Sequence, residues 1–198
     1  MLMISLFLTL TAAAVILLPI FSIMNRCVFR DLRKSMLYFL LSLYLAAVYD
    51  LVGMPNISYI RFEINLNLIP FLGFFDGLKS SLLNILLFVP CGIGLPVLWQ
   101  KYRALRNTVS FGFCLSLAIE LLQMFTYRAT DVNDLMTNTL GAFIGWLVAD
   151  TAMKKLPFLR QLSCGDSREV YIVCGIVFLV MFFVQPFVFS ILWNIVMH

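Results

Sequence analysis

Six apolar runs divide this chain, at roughly 2–24, 36–54, 81–99, 108–127, 134–153 and 170–195. Each is long enough to cross a bilayer core, which takes about 20 residues of helix. Lipid offers no partners to backbone N–H and C=O groups, so a spanning segment must satisfy its own. Continuous apolar runs of this length do so as α-helices. Composition agrees. The chain is 62% hydrophobic and 12% charged, with a mean hydropathy of +0.98. Soluble domains carry about 25% charged residues, so this chain has too few polar groups to cover a globule. The expected fold is all-α, a polytopic membrane bundle of about six transmembrane helices forming one domain over 1–198. That length leaves no room for a soluble catalytic module. The first run is apolar from its start, has no basic leader and reaches Met24, which reads as a first transmembrane helix rather than a cleaved signal peptide.

The charges sit between the runs. "NRCVFRDLRK" (25–34) holds four basic residues, "QKYRALRN" (100–107) three and "KKLPFLRQLSCGDSRE" (154–169) four. The intervening connections hold only Arg61, Lys79 and Arg128. The bias toward the odd loops places them in the cytoplasm and both termini outside. The net charge of +4 therefore reads as topology, and no nucleic-acid partner is implied. Five cysteines (Cys27, Cys91, Cys114, Cys164, Cys174) include no C-x-x-C pair and none falls in an outer loop, so neither a disulfide framework nor a zinc site is suggested. No cofactor is implied. The sequence carries no signal for oligomeric state.

One run and one connection are unusual. The third run, "NILLFVPCGIGLPVLW", contains Pro90, Gly92, Gly94 and Pro96. Proline removes a backbone donor and crowds the preceding turn, so a kinked or broken helix is expected near 90–96. The second loop, 55–80, is long and half apolar, which fits an interfacial or partly re-entrant segment.

Against this oily background the stretch "IELLQMFTYRATDVNDLMTNTLGAFIG" (119–145) gathers polar residues. Ser116, Glu120, Gln123 and Tyr127 are spaced to share one helical face. Glu120 lies about 10 Å from the outer end of its helix at 1.5 Å per residue. Asp131, Asp134 and Asn138 share a face of the next helix, which continues into Gly141 and Gly145. A small-xxx-small pair of this kind lets helices approach closely. Asp131 also suits a helix N-cap and Asp134 an acidic first turn. Asn84 lies one turn into the third run, Asp50 at the outer end of the second, and Asn65 and Asn67 in the outer loop. The unusual polar residues thus fall toward the outer side, as a polar cavity opening outward requires. Glu120 is the sharpest member. A carboxylate inside a span costs roughly 3 kcal/mol on insertion scales and must be paired, protonated or wetted.

Four blocks also carry a family resemblance: "NLIPF" (67–71), "NILLFVPCGIGLP" (84–96), "SLAIELLQ" (116–123) and "RATDVNDLMTNTLGAFIG" (128–145). In order and spacing they resemble the VanZ-like family of small membrane proteins. Cys91 departs from the pattern, which often has Phe there. The resemblance implies a core of about 36–153 with peripheral helices at 2–24 and 170–195. It also implies a protein of the bacterial plasma membrane and cell envelope, associated with low-level resistance to teicoplanin and related lipoglycopeptides.

Three functions fit the residues. In the first, an outward cavity binds a membrane lipid headgroup or a lipid-linked cell-wall precursor without chemistry. Arg128 would hold a phosphate or carboxylate, and Asn67, Asn84, Gln123 and Asn138 would supply neutral hydrogen bonds. Glu120, Asp131 and Asp134 would fix Arg128. In the second, an enzyme would bind Mg²⁺ or Mn²⁺ through Asp131 and Asp134 with Glu120 as base. The lone His198 excludes Ser–His, H-E-x-x-H and histidine-phosphatase schemes. In the third, a proton-coupled lipid transporter would cycle protons on Glu120.

Overall fold

A helix occupies most of each expected apolar run. A computed structural model describes residues 2–62, 66–67, 78–126, 130–163 and 165–197. The helices are α1 (Leu2–Met24), α2 (Leu32–Leu51), α3 (Leu78–Leu98), α4 (Leu105–Gln123), α5 (Val132–Lys155), α6 (Glu169–Leu179) and α7 (Gln185–Met197). A π-helical turn, Val180–Val184, joins α6 and α7 into one long rod, and another, Asn25–Phe29, extends α1. Two short strands, β1 (Leu66–Asn67) and β2 (Thr130–Asp131), pair in parallel.

Five helical spans among the described residues are long and apolar enough to cross a membrane: Met3–Phe29, Leu32–Leu51, Leu78–Leu98, Leu105–Gln123 and Glu169–Val196. The sixth expected run is α5. Its 24 residues reach about 36 Å, but it carries Asp134, Asp150, Lys154 and Lys155. The second loop's expected re-entrant character lies mostly outside the described residues.

The chain forms two compact units, residues 1–60 with 168–198, and residues 61–167. In the first, α1 packs on α2 and α7, and α2 on α6. Its core includes Ala12, Ala13, Leu17, Tyr38, Ala46 and Val173, all buried. Asp31 caps α2 by accepting from the Arg33 and Lys34 amides at 3.0 and 3.3 Å. That cap starts the helix at Leu32, four residues before the apolar run. Lys34 then reaches Glu169 at 2.7 Å, and Tyr38 donates to the same carboxylate at 2.5 Å, tying α2 to α6. Asp50 receives the Thr9 hydroxyl at 3.3 Å.

The second unit is built on the contact between α3 and α5. Gly141 faces the Ile85 carbonyl, Gly145 the Val89 carbonyl and Gly92 the Ala142 carbonyl, each too close for a Cβ. The first two pairs advance by four residues along both helices, so α3 and α5 run parallel. On α4, Gly112 faces Ala142 and Ser116 faces Asn138, an antiparallel register. The small residues at 141 and 145 therefore serve helix packing. α3 is continuous through Pro90 and Pro96, so of the expected forms the broken one is absent. Pro90 lies exposed on the helix, while Pro96 is buried.

At the far end of this unit the basic connections are pinned by hydrogen bonds. Arg103 donates to the Arg160 carbonyl at 2.8 Å, and the Trp146 indole donates to the Arg103 carbonyl at 3.0 Å.

Packing this tight predicts a sharp contrast. Gly145→Val forces α3 and α5 apart and costs at least about 1–3 kcal/mol, the usual range for overpacking. Gly94 has open space where a Cβ would go, so Gly94→Ala leaves stability unchanged or slightly raised. Thermal denaturation of the two purified variants in detergent checks the difference.

Candidate functional site

One end of the second unit collects the end of α4, the start of α5 and β1. On α4, Ser116, Glu120 and Gln123 occupy one face, and all three are buried. Gln123 is the last residue of that helix. The chain returns through β2, whose pairing with β1 sets Asn67 beside Asp131. β2 lies directly over Glu120. The Glu120 Oε2 accepts the Asp131 amide at 2.9 Å, and the Thr130 hydroxyl donates to the Glu120 carbonyl at 3.0 Å.

Asp131 divides its carboxylate between two duties. Oδ1 accepts the Asn133 amide at 2.8 Å and caps α5, while Oδ2 accepts Asn67 Nδ2 at 3.0 Å. The N-cap reading is therefore seen in the structure, together with a second bond. Asp134 sits in the first turn of α5, half-buried. Three carboxylates, Glu120, Asp131 and Asp134, thus gather at one helix N-terminus. The partial positive charge there favours them by about 0.3–1 kcal/mol each when exposed and up to about 2 when partly buried. For Glu120, 3% exposed, this backbone N–H supplies the hydrogen-bond partner that a buried carboxyl group needs.

One turn deeper, Asn138 Nδ2 donates to the Ser116 hydroxyl at 3.0 Å. Asn138 Oδ1 and, on α3, Asn84 Nδ2 are buried and have no hydrogen-bond partner among the described residues. One is an acceptor and the other a donor. Beside the first turns of α5 lies an open cavity of about 680 Å³. Ile85, Phe113, Met136, Leu140 and Phe143 make it apolar, and Asn133 and Thr137 border it.

The structure thus joins Glu120, Asp131 and Asn67 in one hydrogen-bonded chain and seats Asn138 against α4. Asn84 sits on α3, and Arg128 lies outside the described residues. Among the described residues no group of three or more His, Cys, Asp or Glu is placed to hold a metal ion. Glu120, Asp131 and Asp134 do not form such a set. Sequence reasoning did not single out Thr130, Asn133 or Thr137. Asn133 and Thr137 are four apart and both buried, and that spacing was the available signal. The β1–β2 pairing has none, because two-residue strands show no alternation.

Two substitutions separate the roles of the Glu120 oxygen. Glu120→Leu leaves the part-buried Asp131 amide without this acceptor and costs about 1–3 kcal/mol. Glu120→Gln keeps an acceptor oxygen and costs about 1 kcal/mol or less. Melting temperatures of the detergent-solubilised variants should fall in that order.

Comparison with known proteins adds an identity. A family model described as VanZ/LLP1 matches residues 5–153. Protein VanZ of Enterococcus faecium is 35% identical over 82 residues, which is 41% of this chain and 50% of that protein. This chain therefore spans about half the length of that curated relative. No solved structure matches it.

Proposed function

The chain belongs to the VanZ/LLP1 family of membrane proteins, and from that premise we propose that it binds a lipid headgroup or lipid-linked cell-wall precursor at the polar end of α3, α4 and α5. The observation that carries this reading is the meeting of two environments. An apolar cavity of about 680 Å³ borders Asn133 and Thr137, at the same end as the Glu120–Asp131–Asn67 chain. That pairing suits an amphiphile, with its tail in the cavity and its head among polar groups. Asn84 Nδ2 and Asn138 Oδ1 supply a neutral donor and a neutral acceptor. Arg128, three residues before Asp131, would hold a phosphate or carboxylate.

We place this end outside the bacterial plasma membrane, with both termini on the same side. The charge bias supports that orientation, because Lys101, Arg103, Lys154, Lys155 and Arg160 belong to the opposite end of the unit. The family resemblance supports a part in tolerance of teicoplanin, and we read the chain as an envelope protein that binds rather than reacts.

The test is expression in a teicoplanin-susceptible bacterial host. The wild-type chain raises tolerance. Leu140→Trp fills the cavity from a position 45% exposed, and Arg128→Ala removes the cation. Both should lose the phenotype while membrane abundance holds. Wild-type behaviour from both variants would sink the proposal. Orientation has its own check in a cysteine-free background. A cysteine at 61 reacts with an impermeant maleimide on intact cells, and one at 160 reacts only after permeabilisation. The reverse pattern would place the site in the cytoplasm.

A further inference from the structure

The first unit holds a second cavity, of about 460 Å³, where α1 runs into its π-helical turn and α2 begins. Each element contributes residues at i, i+3, i+4 and i+7: Leu18, Phe21, Ser22 and Asn25 from one side, and Leu32, Ser35, Met36 and Phe39 from the other. Those spacings place each set on one helical face. Phe21 and Phe39 meet edge to face with centroids 6.4 Å apart. Ser22 donates to the Leu18 carbonyl at 2.7 Å and Ser35 to the Phe21 carbonyl at 3.0 Å. Both hydroxyl protons are thereby engaged within the walls.

The mouth is polar and positive. Arg26 lines it and is exposed. Asn25 Oδ1 is buried and has no hydrogen-bond partner among the described residues. The nearby charges leave the cation in excess. Asp31 spends its Oδ1 on the α2 amides, and Lys34 is matched by Glu169 at 2.7 Å. Arg30 and Arg33 add two more positive charges in the same ten residues, and both are exposed. A π-helical turn of this kind often marks a functional position.

From this geometry we propose a binding site for an anionic phospholipid whose headgroup carries hydroxyl donors, of the phosphatidylglycerol type. An acyl chain lies along Phe21, Met36 and Phe39. Arg26 takes the phosphodiester, the anion that a guanidinium matches with paired N–H groups. Asn25 Oδ1 is an acceptor, so it requires a donor from the ligand. A headgroup hydroxyl supplies one, and the choline of a zwitterionic lipid does not. Juxtamembrane basic clusters draw anionic lipid in general. Here a cavity and an unsatisfied acceptor turn that attraction into a defined site. The inference is independent of the amphiphile proposed for the second unit.

The test is native mass spectrometry of the purified full chain in detergent. The chain is incubated with phosphatidylglycerol or phosphatidylcholine of identical acyl chains. The wild type retains phosphatidylglycerol preferentially. Arg26→Gln weakens that retention about fivefold, the factor one interfacial arginine contributes. Met36→Trp, at a position 58% exposed, fills the cavity without disturbing the core and also lowers retention. Asn25→Leu narrows the preference for phosphatidylglycerol over phosphatidylcholine, whose headgroup has no hydrogen-bond donor. Arg106→Gln, in a different basic connection, retains lipid as the wild type does. Equal retention of the two lipids by the wild type overturns the proposal. So does equal loss in Arg26→Gln and Arg106→Gln, which would mean diffuse charge attraction.

Discussion

A carboxylate buried in an oily bundle must be given hydrogen-bond donors, and the treatment of Glu120 shapes the end of the second unit. Its donor is the Asp131 backbone amide, 2.9 Å away. That bond helps bring the first residues of α5 onto the last turn of α4. The N-terminus of α5, with its favourable dipole, then faces the charge. Asp131 caps the helix with one oxygen and holds Asn67 with the other. The β1–β2 pairing follows from the same arrangement. A polar end results, with each group's geometry set by the need to satisfy the one before it.

The rest of the unit makes that end possible by being unusually tight below it. Gly92, Gly141 and Gly145 let the α3 and α5 backbones touch. In lipid, apolar burial gives helices little reason to associate, so close van der Waals contact between small residues carries the packing. The parallel register of α3 and α5 brings both of their N-terminal ends to the polar side, where the antiparallel α4 ends. Asn84 and Asn138 enter the unit from that same end. The small-residue contact and the polar end are therefore two parts of one design, since each helix start lies where the carboxylates need it.

Much of this was legible in the sequence because lipid leaves few options. Apolar runs located the helices, and helical spacing put Ser116, Glu120 and Gln123 on one face, as found. The reading of Gly141 and Gly145 as packing residues agrees with the contacts they make. Other features depend on long-range or capping effects that periodicity does not carry. Asp31 begins α2 four residues early by capping amides within a charged stretch. α3 keeps its helix through Pro90 and Pro96, although each proline removes a donor. The first unit joins the two ends of the chain, residues 1–60 and 168–198, a division with no compositional mark. The bond between Glu120 and Asp131 required the return of the chain through β2, and eleven residues of separation did not reveal it.

The central claim is that this polar end works as a site rather than only holding helices together. The most direct measurement scores Glu120→Gln and Asp134→Asn for teicoplanin susceptibility, with membrane abundance measured on the same cells. Both variants remove a charge and keep hydrogen-bonding atoms in place. The account predicts loss of tolerance at unchanged abundance. Tolerance that falls only in step with abundance would contradict it and make these carboxylates structural.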